Sequence, residues 1–235
     1  MHGSSRRNLL RLACAALAGG MGFSRVPGNA QAPEFRDADR TREKIVAVVR
    51  PFDKGYAKPL PDVQQVKPFT DIDLPGIKVQ PDQLPLIDYF VGDLQLRYSF
   101  DDPRYISAVS AADLKRLKLK REELLPLAIA NFRRRYAKYK VERIHGAVSS
   151  VTNAGELEPS LMLDTGFWDL ERQRVGSAIV AAVPARDSLV FTSRSVAWQV
   201  DVLRRLAADI YGSAGADALS QKLFLWNQGR WEVLA

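Results

Sequence analysis

The sequence predicts an α+β fold: a largely antiparallel or mixed sheet built from hairpins, with helices packed on at least one face. Three observations carry this expectation. Ala178–Val183 is an apolar run with no polar break, and Ser188–Thr192 returns as a second stretch rich in Val and Phe. Such a run suits a strand covered on both faces. Apolar residues between Arg121 and Lys140 recur at helical spacing. Turn-forming clusters then separate short β-prone stretches over the whole carboxyl half.

Within the central hairpin, alternation places Ile179, Ala181 and Val183 on one face and Ala178, Val180 and Ala182 on the other. The small alanines admit a helix at close range. Val183-Pro184-Ala185-Arg186 reads as the turn, because Pro184 presets φ for the second turn position.

Toward the amino end, Lys44–Val49 is a short strand candidate. Pro51 to Pro85 holds seven of the thirteen prolines, so regular helix is not expected there. That segment reads as an extended wrap anchored by Ile72, Leu74 and Ile77, with a flexible linker as the alternative. Asp93–Phe100 and Arg104–Ala108 form a hairpin around Asp101-Asp102-Pro103. Ser110 opens a helix, with Asp113 three residues on in a capping-box arrangement. A longer helix follows from about Arg121 to Lys140, burying the stripe Leu125, Ile129, Phe132, Tyr136, Tyr139.

Glu142–Val151 and Glu156–Leu163 read as strands around Thr152-Asn153-Ala154-Gly155. Asp164 or Thr165 caps a helix through Phe167, Trp168 and Leu170 that Gly176 stops. Ser195 caps a further helix, Val196–Tyr211, which buries Val196, Val200, Leu203, Ala207 and Ile210 and ends at Gly212. Lys222–Trp226 and Arg230–Leu234 close the chain as a hairpin around Asn227-Gln228-Gly229.

The first thirty residues read differently. Ser5-Arg6-Arg7-Asn8-Leu9-Leu10-Arg11 matches the twin-arginine export pattern, with Leu9 and Arg11 in place of the usual Phe and Lys. Leu12–Phe23 is about half the length a permanent bilayer span requires. Gly28-Asn29-Ala30 supplies small residues for cleavage after Ala30, with Ala32 as the less suitable site. The expected organisation is a signal over 1–30, a Pro-rich arm over 31–91 and an α+β core over 92–235. An ordinary Sec signal is the alternative for the first segment. The expected location is the periplasm or another exported site, with the twin-arginine translocase as partner in transit and no transmembrane segment after cleavage.

Removing the signal changes the charge argument. The 235-residue chain carries +7, but 1–30 contain four arginines and no acid, which leaves 30 Lys+Arg against 27 Asp+Glu. A net +3 gives little support to sequence-specific nucleic-acid binding. Cys14, the one cysteine, lies in the signal, and His145 is the one histidine beyond it. Thiolate chemistry, Cys/His zinc and paired-His haem are therefore not expected, and neither is a cofactor or a metal.

Several stretches in fixed order carry a resemblance. They are Gly92-Asp93-Leu94, Glu122-Glu123-Leu124 to Asn131-Phe132-Arg133, Pro159–Leu163, Val183–Asp187, and Lys222-Leu223-Phe224 through Gly229-Arg230-Trp231-Glu232. Together they resemble the YtpQ-like bacterial family of unknown function, over roughly Lys44–Val233. The resemblance implies no activity and no catalytic residue. Its members are largely cytoplasmic, so an export signal is a departure.

Two constellations remain. Asp113–Arg143 holds eleven Lys or Arg against four Asp or Glu, and its Arg133, Arg134 and Lys138 are the expected contacts for an anionic polymer, lipid surface or protein partner. A solvated helix face is the plain alternative. Glu156, Arg186 and Asp187 are the weak catalytic candidates, in which Arg186 would pair bidentately with a carboxylate or phosphate. His145 falls on the polar side of its expected strand and reads as a surface residue. Glu156, Glu158 and Asp164 match no calcium-loop spacing. The leading reading is a non-catalytic binding or scaffold domain for an anionic partner. The rival is a cofactor-free hydrolase or transferase.

Overall fold

A computed structural model describes residues 40–52, 80–103, 106–144, 146 and 148–234, all within one unit, Arg36–Ala235. The expected signal, most of the expected arm and His145 lie outside the described residues. The fold is α+β with two antiparallel sheets. The smaller holds β1 (Ile45–Pro51), β3 (Leu94–Asp101) and β2 (Ile87–Val91) in that order, with β4 (Ile106–Ala108) also on β3. The larger has six strands in the order β10 (Arg230–Val233), β9 (Leu223–Asn227), β7 (Ile179–Ala185), β8 (Ser188–Ser193), β6 (Val148–Thr152) and β5 (Lys140–Ile144).

The β7–β8 hairpin occupies the middle of the larger sheet, and every residue of β7 is buried. Its two faces divide as alternation requires. Ile179, Ala181, Val183 and Phe191 join Trp168, Trp226, Trp231 and β1 in one core. Val180, Ala182 and Val190 meet Leu203 and Ala207 of helix α4 (Ala197–Ala214) in another. A third cluster joins Ile45, Ala47, Tyr98 and Phe100 to Leu124 and Ala128 of helix α2 (Leu124–Arg135). Two of the smaller sheet's strands, β1 and β2, come from the stretch expected as an arm.

The local signals that hold are capping signals. Helix α1 (Ala111–Leu117) starts with the Ser110–Asp113 capping box. The Asp164 carboxylate accepts from the Phe167 amide at 3.0 Å to open helix α3 (Thr165–Val175), and Gly176 ends it.

Several expected boundaries are corrected. Glu142–Val151 is not one strand, because Gly146 at φ +66° turns the chain between Ile144 and Val148. Glu158–Leu163 is a 3-10 helix rather than a strand. Pro159 would leave a gap in any ladder. In the helical form the Leu161 and Met162 carbonyls accept the Trp168 and Trp231 indole N–H groups, each at 2.9 Å. Pro184 is not in the turn. It sits at a register shift inside β7, its carbonyl accepts from Leu219, and Arg186-Asp187 make the reversal.

Helix α2 stops at Arg135, and Lys140 already belongs to β5. Its buried residues are Leu124, Ala128, Asn131 and Phe132, while Leu125, Tyr136 and Tyr139 are partly buried against the core. Asn131 is the residue that pattern reading misses. Its side-chain amide donates to the Arg42 and Ile45 carbonyls at 2.7 and 2.9 Å and ties the helix to β1. In α4 the cap position is Val196 without a side-chain bond, and the helix passes through Gly212 to Ala214.

Candidate functional site

The end of the β7–β8 hairpin gathers charge from five places in the chain. Arg186, in the turn, has a side chain only 16% exposed. Its guanidinium donates to Glu156 at 3.0 Å and to Asp217 at 3.3 Å, while its backbone N–H donates to the Asp217 carbonyl at 3.0 Å. Glu156 comes from the loop after β6, where Asn153, Gly155 and Glu156 all have positive φ. Gly155 is needed there, since a Cβ would run into the Tyr136 ring. Asp217 comes from the 3-10 turn Gly215–Asp217 that follows α4.

Two further arginines approach from the smaller sheet. Val48 is opposite Arg97 and Arg50 is opposite Gln95, so Arg50 and Arg97 are diagonal neighbours on one face. Both are half-buried. Among the described residues neither forms an ion pair with a carboxylate, and Arg97 Nε is buried without a partner. Among the described residues Arg50 donates only to the Val49 carbonyl, at 3.2 Å. Burial, together with the like charges of Arg186 and Arg97, lowers the Arg50 guanidinium to about 10, against the pull of Asp217. Three cations thus crowd one seam, and two carboxylates engage only one of them.

Two residues beyond Glu156 is Glu158, 5% exposed, in the first turn of the 3-10 helix. One carboxyl oxygen accepts from the Ala154 amide at 3.0 Å. The other is buried with no partner. Burial raises the affinity of this carboxyl for its proton, and the charges of Asp187 and Glu156 act in the same direction. Asp187 is exposed in the turn. Glu156 and Arg186 are therefore in direct contact, whereas among the described residues Asp187 is bonded to neither and acts only through its charge on Glu158. Arg50, Arg97, Glu158 and Asp217 complete the cluster. Among the described residues no three His, Cys, Asp or Glu side chains are arranged to hold a metal ion.

The basic surface on α2 is built differently. Arg133 grips Asp164 through two bonds of 2.7 and 2.5 Å. Arg134 donates to Asn131 at 3.0 Å and to the Glu43 carbonyl at 3.3 Å. Arg135 pairs at 2.7 Å with Asp101, whose side chain is 1% exposed and also accepts from the Tyr136 hydroxyl. Of the expected contact residues only Lys138 is exposed without a described partner. A separate open groove of about 380 Å³ runs beside Trp198, Asp201, Val202, Arg204 and Arg205 on α4 and includes none of the expected site residues.

No family model matches the chain, and no solved structure matches it. The chain is similar to the UPF0354 protein SSP1020 of Staphylococcus saprophyticus, at 23% identity over 150 residues. That alignment covers 63% of this chain and 52% of the relative, so the chain spans about half of the protein it matches. The relative's name assigns it no activity. No helix among the described residues is long and apolar enough to cross a membrane.

Proposed function

We propose that this chain is a non-catalytic binding domain for an anionic partner, and that the partner's anionic group sits on Arg50 and Arg97 beside Arg186. One observation supports the reading above others: two half-buried guanidiniums share a face, and among the described residues neither is ion-paired with a carboxylate. A buried cation without a counter-ion is costly, and an incoming carboxylate or phosphate removes that cost with charge-assisted bonds. Arg133, Arg134 and Lys138 suit the role less, because the two arginines are already engaged within the fold.

The test is calorimetric titration of the full chain with inorganic phosphate. Arg50→Gln and Arg97→Gln should each abolish the binding heat, while charge reversal at Arg134 and Lys138 leaves it in place. The opposite pattern would return the site to the α2 face.

The rival reading, a cofactor-free hydrolase or transferase, draws on the Glu156–Arg186 pair and on Glu158, whose carboxyl burial shifts toward holding its proton. It requires turnover that Glu158→Gln removes while phosphate binding persists. Export is a further proposal and rests on the Ser5–Arg11 pattern. Lys at both Arg6 and Arg7 should leave a fused reporter in the cytoplasm. Placement in a YtpQ-like family rests on the ordered stretches from Gly92 onward.

A further inference from the structure

The larger sheet ends at β5, and no described strand pairs with its outer side. An end strand keeps a row of backbone N–H and C=O groups that another strand can use. Folded chains blunt such an edge with charge. β5 carries Lys140, Glu142 and Arg143, but the order of their signs permits pairing in one register. All three are exposed, as is Val141, and among the described residues none of the three has an ion pair.

Two copies that pair β5 antiparallel about a two-fold axis keep equivalent faces together. One residue must then lie on the axis, opposite itself. With Lys140, Glu142 or Arg143 on the axis, like charges meet. With Ile144 there, most of β5 faces the turn around Gly146 and the ladder is short. Val141 is the remaining choice. It sets Lys140 opposite the second copy's Glu142, and Glu142 opposite the second copy's Lys140. Arg143 then meets Tyr139 and no cation. Within each copy Lys140 and Glu142 neighbour Thr152 and Ser150, which carry no charge to compete. On the other face Val141, 36% exposed, lies beside Val151, 1% exposed. A valine on the axis therefore extends that apolar row across the join.

We infer that β5 is the contact for a second copy of this chain, paired antiparallel with Val141 on the two-fold axis, so that the two larger sheets run on as one. None of these residues belongs to the seam around Arg186, so the contact goes beyond the proposed anion site. So short a strand buries little area, which puts the dimer in the weak class. Symmetry counts the Lys140–Glu142 pair twice, and those two pairs set the register.

Sedimentation equilibrium of the full chain, over about a hundredfold range of concentration, reads the association. The parent should move from monomer toward dimer as concentration rises, and added salt should weaken the shift. Lys140→Glu and Glu142→Lys should each weaken association about tenfold, because each sets like charges opposite one another twice. Lys140→Glu combined with Glu142→Lys restores both pairs and should recover the parent's association. A second substitution would not undo a loss of folding, so this recovery separates pairing from misfolding. Cross-linking reads the register. In a Cys14→Ser background, Val141→Cys brings two thiols together on the axis and should oxidise to a disulfide-linked dimer. Arg143→Cys, on the same face but opposite Tyr139, should do so about tenfold more slowly.

A chain that stays monomeric throughout overturns the inference. So does a dimer that both single charge reversals leave unchanged, because its contact then lies elsewhere.

Discussion

The last turn of α2 and the seam below β7 both present three arginines, and they do opposite things with them. Arg133, Arg134 and Arg135 are consecutive, and each has an acceptor within the fold: Asp164, Asn131 with the Glu43 carbonyl, and Asp101. Arg50, Arg97 and Arg186 are far apart in the chain, yet strand register and one turn bring them together, and among the described residues only Arg186 is paired with carboxylates. A dense run of charge in a sequence reports how many cations there are, not whether they are free. The run on α2 fastens a helix to its neighbours, whereas two of the scattered set have no ion-pair partner among the described residues.

Removing an acceptor on the α2 side should cause the largest change. Asp101 is buried and receives both Arg135 and the Tyr136 hydroxyl. Asp101→Ala leaves both without an acceptor and should cost about 3 kcal/mol, measured by urea unfolding. A loss near zero would mean that α2 docks without this pairing, and the contrast between the regions would weaken.

Asp164 carries the next effect. Burial works to raise its pKa, but the bonds from Arg133 and from the Phe167 and Gly166 amides overturn this, so the carboxyl titrates below its ordinary value of 3.8. Because the folded pKa is the lower one, the contribution is complete above the unfolded value and disappears as pH falls through the folded value. Asp164→Ala should cost about 1–2 kcal/mol at pH 7, where it removes a helix cap and half of a partly exposed ion pair. The difference from the parent should shrink as pH falls below about 4.

The seam should respond with the opposite sign. Arg50 is charged at neutral pH despite burial and two cationic neighbours, and its pKa of about 10 lies below that of a free guanidinium. A base with a depressed folded pKa opposes folding while protonated, and this opposition lifts only as pH climbs above about 10. Arg50→Gln should leave neutral-pH stability unchanged or raise it by about 0.5–1 kcal/mol, while removing the gain in Tm that phosphate gives the parent. A stability loss as large as that of Asp101→Ala would show that Arg50 is structural and not held for a ligand.

How much of this is readable in the sequence depends on the range of the interaction. The two faces of β7, the Ser110 capping box, and the Asp164 and Gly176 ends of α3 are local patterns, and the sequence shows them. β2 escaped because only one residue of Ile87–Val91, Val91, is buried, so the strand shows no buried-exposed alternation. The 3-10 segment Glu158–Leu163 owes its form to two tryptophans, one of them 69 residues away. The Glu156–Arg186 contact joins two of the three candidate residues, but Arg50, Arg97 and Asp217 depend on strand register and on a chain return after α4. The one signal the two arginines left is a single charge in each strand, Arg50 after Ile45–Val49 and Arg97 within Leu94–Phe100.

Lys138 gives the smallest expected effect and separates the two regions most cleanly. It is exposed just past the end of α2, where no described contact restrains it. Lys138→Glu should therefore shift stability by less than about 0.5 kcal/mol. It should also leave phosphate affinity at the seam unchanged, because water and salt screen an exposed charge beyond about 10 Å. If this substitution alone weakened binding several-fold, the working cation would be the one left over from the α2 run, and density of charge in the sequence would have been the better guide.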